Sequence, residues 1–435
     1  MSKIRVGVGF ATGRKCFQQV LKSYILNFQE SGLLNNNVEL NIYIAYDLAY
    51  KGAQISDYTS IPKEIGALTH QIRFLGAAET AAAKEELIHD DIADLSSAGL
   101  LFGSGYAAQR NLILFYAIQD SVDYLLFLDD DEYPLAVTCN GHAAIWSGQH
   151  VLKMHLQNIR DADITYGYHC GYLSPVPTVN FSNEEEKNIS KSLIEALSND
   201  VVNWDSFQEV MQNGGVTYAD TNVLIENRLF DVPEKNHAKF ISGSNLCINL
   251  TDPRRVFPFY NPPGARGEDT FLSTCLSDRR VLRVPCYTFH DGFSIYSYLL
   301  SGVLPMQLSM VDSTQEQNVQ RFLSACVGWA RYKPLYLYIT QPESYREKID
   351  EAKRKLTSAL PYVCDYFHSE AFKDLQHEME DYDSKVSSHY SDFLRTKKLW
   401  AKLMNRICTP SKSVVISGID INSIKEQTVK SHGKG

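Results

Sequence analysis

The sequence predicts an α/β fold: a three-layer α/β/α domain that carries a helical C-terminal region. Three observations predict it. Over residues 1–135 the hydrophobic pattern runs strand, helix, strand, strand, helix, strand. That order builds a mostly parallel sheet with helices on both faces. The last of these strands lies in Tyr124-Leu-Leu-Phe-Leu-Asp-Asp-Asp-Glu-Tyr-Pro134, where five apolar residues run into four acids and a proline. A short apolar run closed by a breaker reads as a buried strand. From Tyr296 onward the texture turns helical.

A chain of 435 residues suggests two domains, or one large domain with additions. Hydrophobic content of 44% allows a sizeable core, and a net charge of −9 argues against non-specific nucleic-acid binding. The nine cysteines are scattered without a C-x-x-C pair, so buried thiols are expected rather than disulfides or structural zinc. The N-terminus enters a strand pattern without signal-peptide anatomy, and no apolar run approaches membrane-spanning length. The expected location is cytoplasmic. The N-x-[ST] matches at Asn180, Asn188 and Asn249 are therefore not read as glycosylation sites.

Residues 3–10 read as the first strand. A turn at Ala11-Thr12-Gly13 follows, then a helix to about Phe28 with Phe17, Val20, Leu21, Tyr24 and Ile25 on one face. Gly7, Gly9 and Gly13 loosely match a dinucleotide fingerprint, with Thr12 where its third glycine belongs. The second strand, Val38–Tyr46, ends at Asp47, an acid placed where a ribose site would put one. A dinucleotide oxidoreductase is thus one reading, and a plain tight turn the other. A third strand at 71–75 precedes an Ala/Glu-rich helical segment near 78–95. Gly103-Ser-Gly105 breaks the chain before a helix from Tyr106 to about Gln119, which carries Arg110 and Asn111 in its first turns.

The acids after the fourth strand sit where open α/β sheets place their ligands, and their mutual repulsion calls for a cation or water. Asp129 and Asp131 form a D-x-D pair. Such a pair suits Mg²⁺ or Mn²⁺, which take few protein oxygens and leave positions open for phosphate. The alternative is a solvated acidic turn. Residues 151–160 then read as helical, 163–173 as extended, and Pro175 to about His237 as a polar insertion or lid. Three features follow. Phe240–Asn249 reads as a strand with a Ser-Gly-Ser turn inside it. Asn261–Thr270 is a loop entering a helix with Glu268 and Asp269 in its first turn. Val281–His290 is a strand ending on a histidine.

In that order, strand-Asp-x-Asp, Ser-Gly-Ser, Gly-Glu-Asp at a helix start and a strand-end His, the chain resembles the GT-A glycosyltransferases. It looks most like glycosyltransferase family 2 and its neighbours. The helix Ala107-Ala-Gln-Arg-Asn111 is similar to that family's Ala-Arg-Asn helix before its D-x-D. The resemblance covers roughly residues 3–295. Two departures stand out: a longer gap from Asp131 to Asp269, and a first strand ending Phe-Ala-Thr-Gly-Arg instead of Pro-x-Tyr/Phe-Asn.

The resemblance implies a Rossmann-like GT-A catalytic domain over 1–295. Its nucleotide-binding half would span about 1–135, the polar insertion about 175–237 and the acceptor half about 238–295, with a helical region at 296–408 and a flexible tail at 409–435. It implies metal-dependent transfer, of inverting stereochemistry, of a hexosyl or N-acetylhexosaminyl group from a nucleotide-diphosphate sugar, UDP-linked, to a hydroxyl of a glycan or lipid-linked acceptor, as in cell-surface glycan synthesis. Asp131, Asp129 and His290 are the implied ligands of Mn²⁺ or Mg²⁺. Asp269 is the base and Glu268 orients acceptor or donor. Thr12, Asp47, Arg110, Asp129 and Arg266 are the nucleotide-sugar contacts.

The alternatives are a sugar-1-phosphate nucleotidyltransferase, which Thr12-Gly13-Arg14-Lys15 matches only vaguely, and a non-catalytic carbohydrate- or Ca²⁺-binding protein. In the helical region, Thr340-Gln-Pro-Glu343 reads as a capping box opening a helix to about Leu360. That region is expected to dock on the catalytic domain or to form a homodimer. In the stretch Asp392–Ile407, Phe393, Trp400, Leu403, Met404 and Ile407 share one face, opposite Arg395, Lys398, Lys402 and Arg406. Such a helix either packs its apolar face on the protein or lies on the inner face of an anionic membrane.

Overall fold

The computed structural model describes residues 3–409, apart from 36, 50–51, 142, 173–175 and 199–202. The expected tail therefore lies, from 410 onward, outside the described residues.

The four leading strands are β1 (Ile4–Thr12), β2 (Val38–Tyr46), β3 (Gln71–Leu75) and β4 (Tyr124–Phe127). Then come β5 (Glu132–Tyr133), β6 (Leu135–Asn140), β7 (Ala143–Gly148) and β8 (Ile164–Gly171). The last three are β9 (Phe230–Asp231), β10 (Leu246–Asn249) and β11 (Val281–His290). The main sheet runs β3-β2-β1-β4-β10-β8-β11-β5, with β9 also on β11 and β6-β7 forming a separate hairpin.

Register decides which residues meet. β1 pairs parallel with β2, Thr12 opposite Tyr46, and with β4, Gly9 opposite Phe127. β10 runs antiparallel to both β4 and β8, and β8 pairs parallel with β11, His290 opposite Gly171. Two reversals cancel, so β1, β4, β8 and β11 all end at the edge where β10 begins. The chain order also switches sides between β1 and β4, and ligands of open α/β sheets bind at such a point.

Apolar alternation builds a core on each face. Val6, Val8 and Phe10 of β1 pack with Phe17, Leu21, Tyr24 and Ile25 of the helix Phe17–Glu30. On the other face the helix Tyr106–Gln119 approaches β1 closely. A Cβ at Gly9 would stand 2.7 Å from Ile113 Cγ2, and one at Gly7 2.8 Å from Leu125 Cδ1. These two glycines lie within a strand and serve packing, so the dinucleotide reading of the Gly7-Gly9-Gly13 pattern loses its basis. The predicted layered α/β domain with a helical C-terminal region is the observed fold.

Several elements differ from expectation. The helix near 78–95 stops at His89, and a separate helix, Leu95–Phe102, starts at Asp94, whose carboxylate accepts from Ser97 N at 2.7 Å. Among its described residues the polar stretch holds three helices, Glu184–Leu197, Trp204–Gln212 and Thr221–Glu226, each capped by an Asn or Asp side chain. Leu193, Ile194, Trp204 and Phe207 join the core of the C-terminal helices. Only Leu246–Asn249 of the stretch 240–249 is strand. Thr340 caps nothing: it ends the helix Glu316–Thr340 and its hydroxyl donates back to Tyr336 O at 2.7 Å. Of the nine cysteines, all free thiols, six are buried, as expected.

The last helix, Val386–Cys408, lays its apolar face on the protein. Leu399, Trp400, Leu403 and Met404 enter the second core, and Trp400 Nε1 donates to Val256 O at 3.0 Å. Arg406 pairs with Asp90 at 3.2 Å and Arg395 with Asp94 at 3.6 Å. The face expected to meet a membrane is thus covered by the domain itself, which corrects the reading of 392–407 as a membrane contact. Among the described residues no helix is long and apolar enough to cross a membrane. Trp400 is 1% exposed, so Trp400→Ala is expected to cost about 3–5 kcal/mol of unfolding free energy. Urea denaturation of the full chain measures it, and a loss under about 1 kcal/mol would mean the helix does not pack this way.

Candidate active site

The edge where β1, β4, β8 and β11 end opens into a cleft of about 480 Å³, lined by Arg14, Arg110, Asp129, Asp130, Asp131, Tyr172, Arg266, Glu268, His290 and Arg321, among others. Local chemistry fixes each acid differently. Asp130 faces back into the β1 loop, where its Oδ2 accepts from Thr12 Oγ1 at 2.7 Å and from the N–H groups of Gly13 and Arg14 at 3.3 and 3.2 Å. Thr12 therefore shapes this loop and does not line the cleft. Asp131 Oδ2 meets Arg14 Nη2 at 2.6 Å and His290 Nε2 at 3.1 Å. Burial alone would push the Asp131 carboxyl up, but the His290 imidazolium and the Arg14 guanidinium hold it at about 2. The same contact lifts His290 to about 9 against its own desolvation.

Asp129 points to Arg110, with Nη2 3.1 Å from Oδ1. Burial raises its carboxyl, Arg110 offsets part of that, and Glu132, Asp131 and Asp130 raise it further. Arg110 is almost fully buried between the rings of Phe127 and Phe259, at 5.2 and 5.5 Å. Its guanidinium donates to Gly243 O and pairs with Asp129 and, at 3.5 Å, with Glu268. Its two Nη groups are taken by Gly243 O and Asp129, while the buried Nε makes no hydrogen bond and only faces Glu268, so Arg110 positions Asp129 and lends charge to Glu268. Asn111, on the same helix, staples the chain beyond: it donates to Phe259 O and accepts from Phe259 N, at 3.0 and 2.8 Å.

Glu268 and Asp269 start the helix Glu268–Ser273 after Gly267, which has φ +95°. Glu268 faces the cleft. Asp269 turns toward the Ser-Gly-Ser turn, accepting from Gly243 N at 3.1 Å and from Thr270 N at 2.7 Å. Burial first, and Glu268 second, push its carboxyl up to about 6. Arg266 lines the cleft with its stem against Gly328 of the long helix. Asp47 stands apart: it is exposed, its carboxylate accepts from Ala49 N at 2.8 Å, and it does not line the cleft.

Three contributors escaped the sequence reading. Arg14 lies one residue beyond the turn glycine, where Thr-Gly-Arg-Lys is the one local pattern that includes it. Arg321 comes from the helix Glu316–Thr340, and its guanidinium sits 4.0 Å from the Phe293 ring at the cleft wall. Glu132, the fourth acid, is buried behind the others. Its carboxylate accepts from Ser244 Oγ at 2.6 Å and contacts His169 Nδ1 at 3.0 Å, while Ser244 Oγ accepts from Asp129 N at 2.9 Å. Burial opposes its charge, yet His169 holds it below the usual range. Glu132 therefore anchors the D-x-D backbone through Ser244.

The donor set suits a divalent cation of the Mg²⁺ or Mn²⁺ kind: two carboxylates and an imidazole, with Asp131 and His290 already 3.1 Å apart. Among the described residues no three His, Cys, Asp or Glu side chains form a cage for an ion. Such ions do not require one, since they commonly take one or two carboxylates and complete their shell with phosphate and water.

Fold and site together define an α/β protein with an acid- and arginine-lined cleft at the switch point of its sheet. No family model and no curated protein matches the chain. Among solved structures, S. aureus TarS is similar over 89% of this chain and 55% of that one, at 10% identity and a TM-score of 0.31. Mouse xyloside xylosyltransferase 1, in its apo form, is similar over 40% of this chain and 55% of that one, at 12% identity and a TM-score of 0.20. The chain spans about half the length of these two proteins. Likenesses this loose leave function to be argued from the site.

Proposed function

We propose that the chain is a glycosyltransferase that moves a sugar from a nucleotide-diphosphate sugar, UDP-linked in the first instance, to a hydroxyl of a glycan or lipid-linked acceptor. One observation carries the reading: a single cleft is lined by a D-x-D pair, by Arg14, Arg266 and Arg321 besides the buried Arg110, and by Glu268, whose neighbour Asp269 shares its helix start. A diphosphate leaving group gathers negative charge as the glycosidic bond breaks, and groups fixed in advance around that charge lower the barrier. Asp131, Asp129 and His290 would hold Mn²⁺ or Mg²⁺, which supplies part of that neutralisation. Arg14, Arg266 and Arg321 are placed to take the remaining phosphate oxygens, guanidinium being suited to paired contacts with them. Asp269 takes the proton from the attacking hydroxyl, and Glu268, held by Arg110, orients the reactants. Attack from the side opposite the diphosphate makes the transfer inverting.

Nucleotide release from a panel of sugar nucleotides with Mn²⁺ tests the proposal. Release of nucleoside diphosphate with one donor is expected. Pyrophosphate release from a nucleoside triphosphate plus a sugar phosphate would favour a nucleotidyltransferase. Saccharide binding without turnover of any donor would leave a binding protein.

A further inference from the structure

A second cavity, of about 580 Å³, adjoins the first. The two share three lining residues, Tyr106, Arg266 and Glu268, which therefore stand as the divide between them. Its far walls come from the turn Gly103-Ser104-Gly105 before the helix Tyr106–Gln119, the loop from Tyr260 to Arg266, and Asp392 of the last helix. Its volume lies in the range of small-ligand sites, about 300–1,000 Å³. The proposed mechanism leaves this space unused, although its base-bearing helix opens onto it.

We propose that this cavity is the acceptor site, that it takes an uncharged saccharide or polyol, and that Asp392 positions it. The inference rests on the glycosyltransferase reading of the first cleft. Charge decides the ligand class. The lining offers one guanidinium, Arg266, against two carboxylates, Glu268 and Asp392. A phosphate-bearing acceptor would meet net repulsion there, whereas sugar hydroxyls donate well to carboxylates. Tyr106, half of whose surface is exposed, lines the same space, and aromatic rings pack against apolar faces with a polar end left wet. Asp392 itself is half-buried, and among the described residues no hydrogen bond or ion pair holds its carboxylate. Glu268 reaches the divide with its carboxylate steadied by Arg110 at 3.5 Å. A hydroxyl entering from this side meets the Glu268-Asp269 helix start before it meets the donor. The last helix, whose sequence suggested either packing on the protein or a membrane contact, thereby acquires a part in the site.

The test uses the full chain, a panel of sugar nucleotides and a panel of methyl glycosides as acceptors. Asp392→Asn is expected to raise the KM for the glycoside about tenfold or more, the worth of one hydrogen bond to a charged group. The KM for the sugar nucleotide should stay within about twofold, because a site-specific loss of binding separates the two constants. Ser104→Trp, a change at an exposed turn, fills the cavity. It should abolish transfer to the glycoside while nucleotide release to water persists. Unchanged glycoside KM in both variants overturns the assignment, and so does a donor KM that rises in step. Where no sugar nucleotide or no glycoside is consumed, saturation-transfer NMR of the methyl glycosides on the protein alone decides. Signal with wild type and none with Ser104→Trp keeps the site even as the transferase reading fails. Absence of signal with wild type removes it.

Discussion

Asp131→Ala is expected to lose Mn²⁺-dependent binding of a nucleoside diphosphate while keeping the fold. A partner that only orients a metal ligand is worth about 10–100-fold in affinity, so the ligand itself should be worth more than about 100-fold. The fold should survive because the ion-pair partners of the Asp131 carboxylate are the Arg14 and His290 side chains, and its backbone hydrogen bond is to its own residue rather than to a distant segment. Arg14 keeps a second anion in Asp130, 3.3 Å from its Nε. Calorimetry with UDP, with and without Mn²⁺, reads the effect, and circular dichroism checks the fold. Arg14→Ala should act differently. It frees Asp131 from its shortest cationic partner, so binding of the ion alone should tighten. It also removes a phosphate contact, so UDP binding without metal should weaken. Metal-dependent affinity that is equal in wild type and Asp131→Ala would sink the assignment of Asp131.

How far the sequence reached follows from the range of its signals. β2, β3, β11 and the helix Tyr106–Gln119 lie where periodicity and breakers put them, because each is a local pattern of one period. The acidic stretch was legible because charges directly after a buried strand have few structural uses. Its internal division was not. Nothing local distinguishes Asp130, which organises the β1 loop, from Asp131, which faces the cleft, since the strand pair β5–β11 and the Thr12 hydroxyl decide it. Arg321 lies 190 residues from Asp131 in sequence, and only tertiary packing brings its helix to the cleft. Asp47 misled for the opposite reason: an acid after the second strand also makes a local turn, and here it does that. The helices within 184–226 were hidden by polar composition. Their Asn and Asp caps were visible at 183, 203 and 220, but the apolar faces they introduce are short and find their partners on distant helices.

Asp269→Asn is expected to lower turnover on the order of 10²–10⁴-fold, the usual worth of a general base. The sign of the pH dependence follows from the site. A base must be ionised to accept a proton, and burial with Glu268 alongside raises this carboxyl to about 6. Activity of the wild type should therefore fall as pH drops through about 6, and the acidic limb of kcat/KM should report that group in the free enzyme. In the variant the limb should vanish along with most of the rate. The donor KM should hardly move, since Asp269 does not line the cleft that the nucleotide enters. Its hydrogen bonds to Gly243 N and Thr270 N are the complication. An amide can satisfy one of them with its oxygen but faces the other with an NH₂, so the Ser-Gly-Ser turn could shift. Glu268→Gln is the control that separates the two carboxylates: Glu268 faces both cavities and forms an ion pair with Arg110. Should Glu268→Gln erase the limb near pH 6 while Asp269→Asn keeps it, the base is Glu268 and Asp269 is its support. Should neither variant slow turnover, no carboxylate at this helix start takes the proton. A product of retained anomeric configuration by NMR would then replace the inverting mechanism with one that needs no such base.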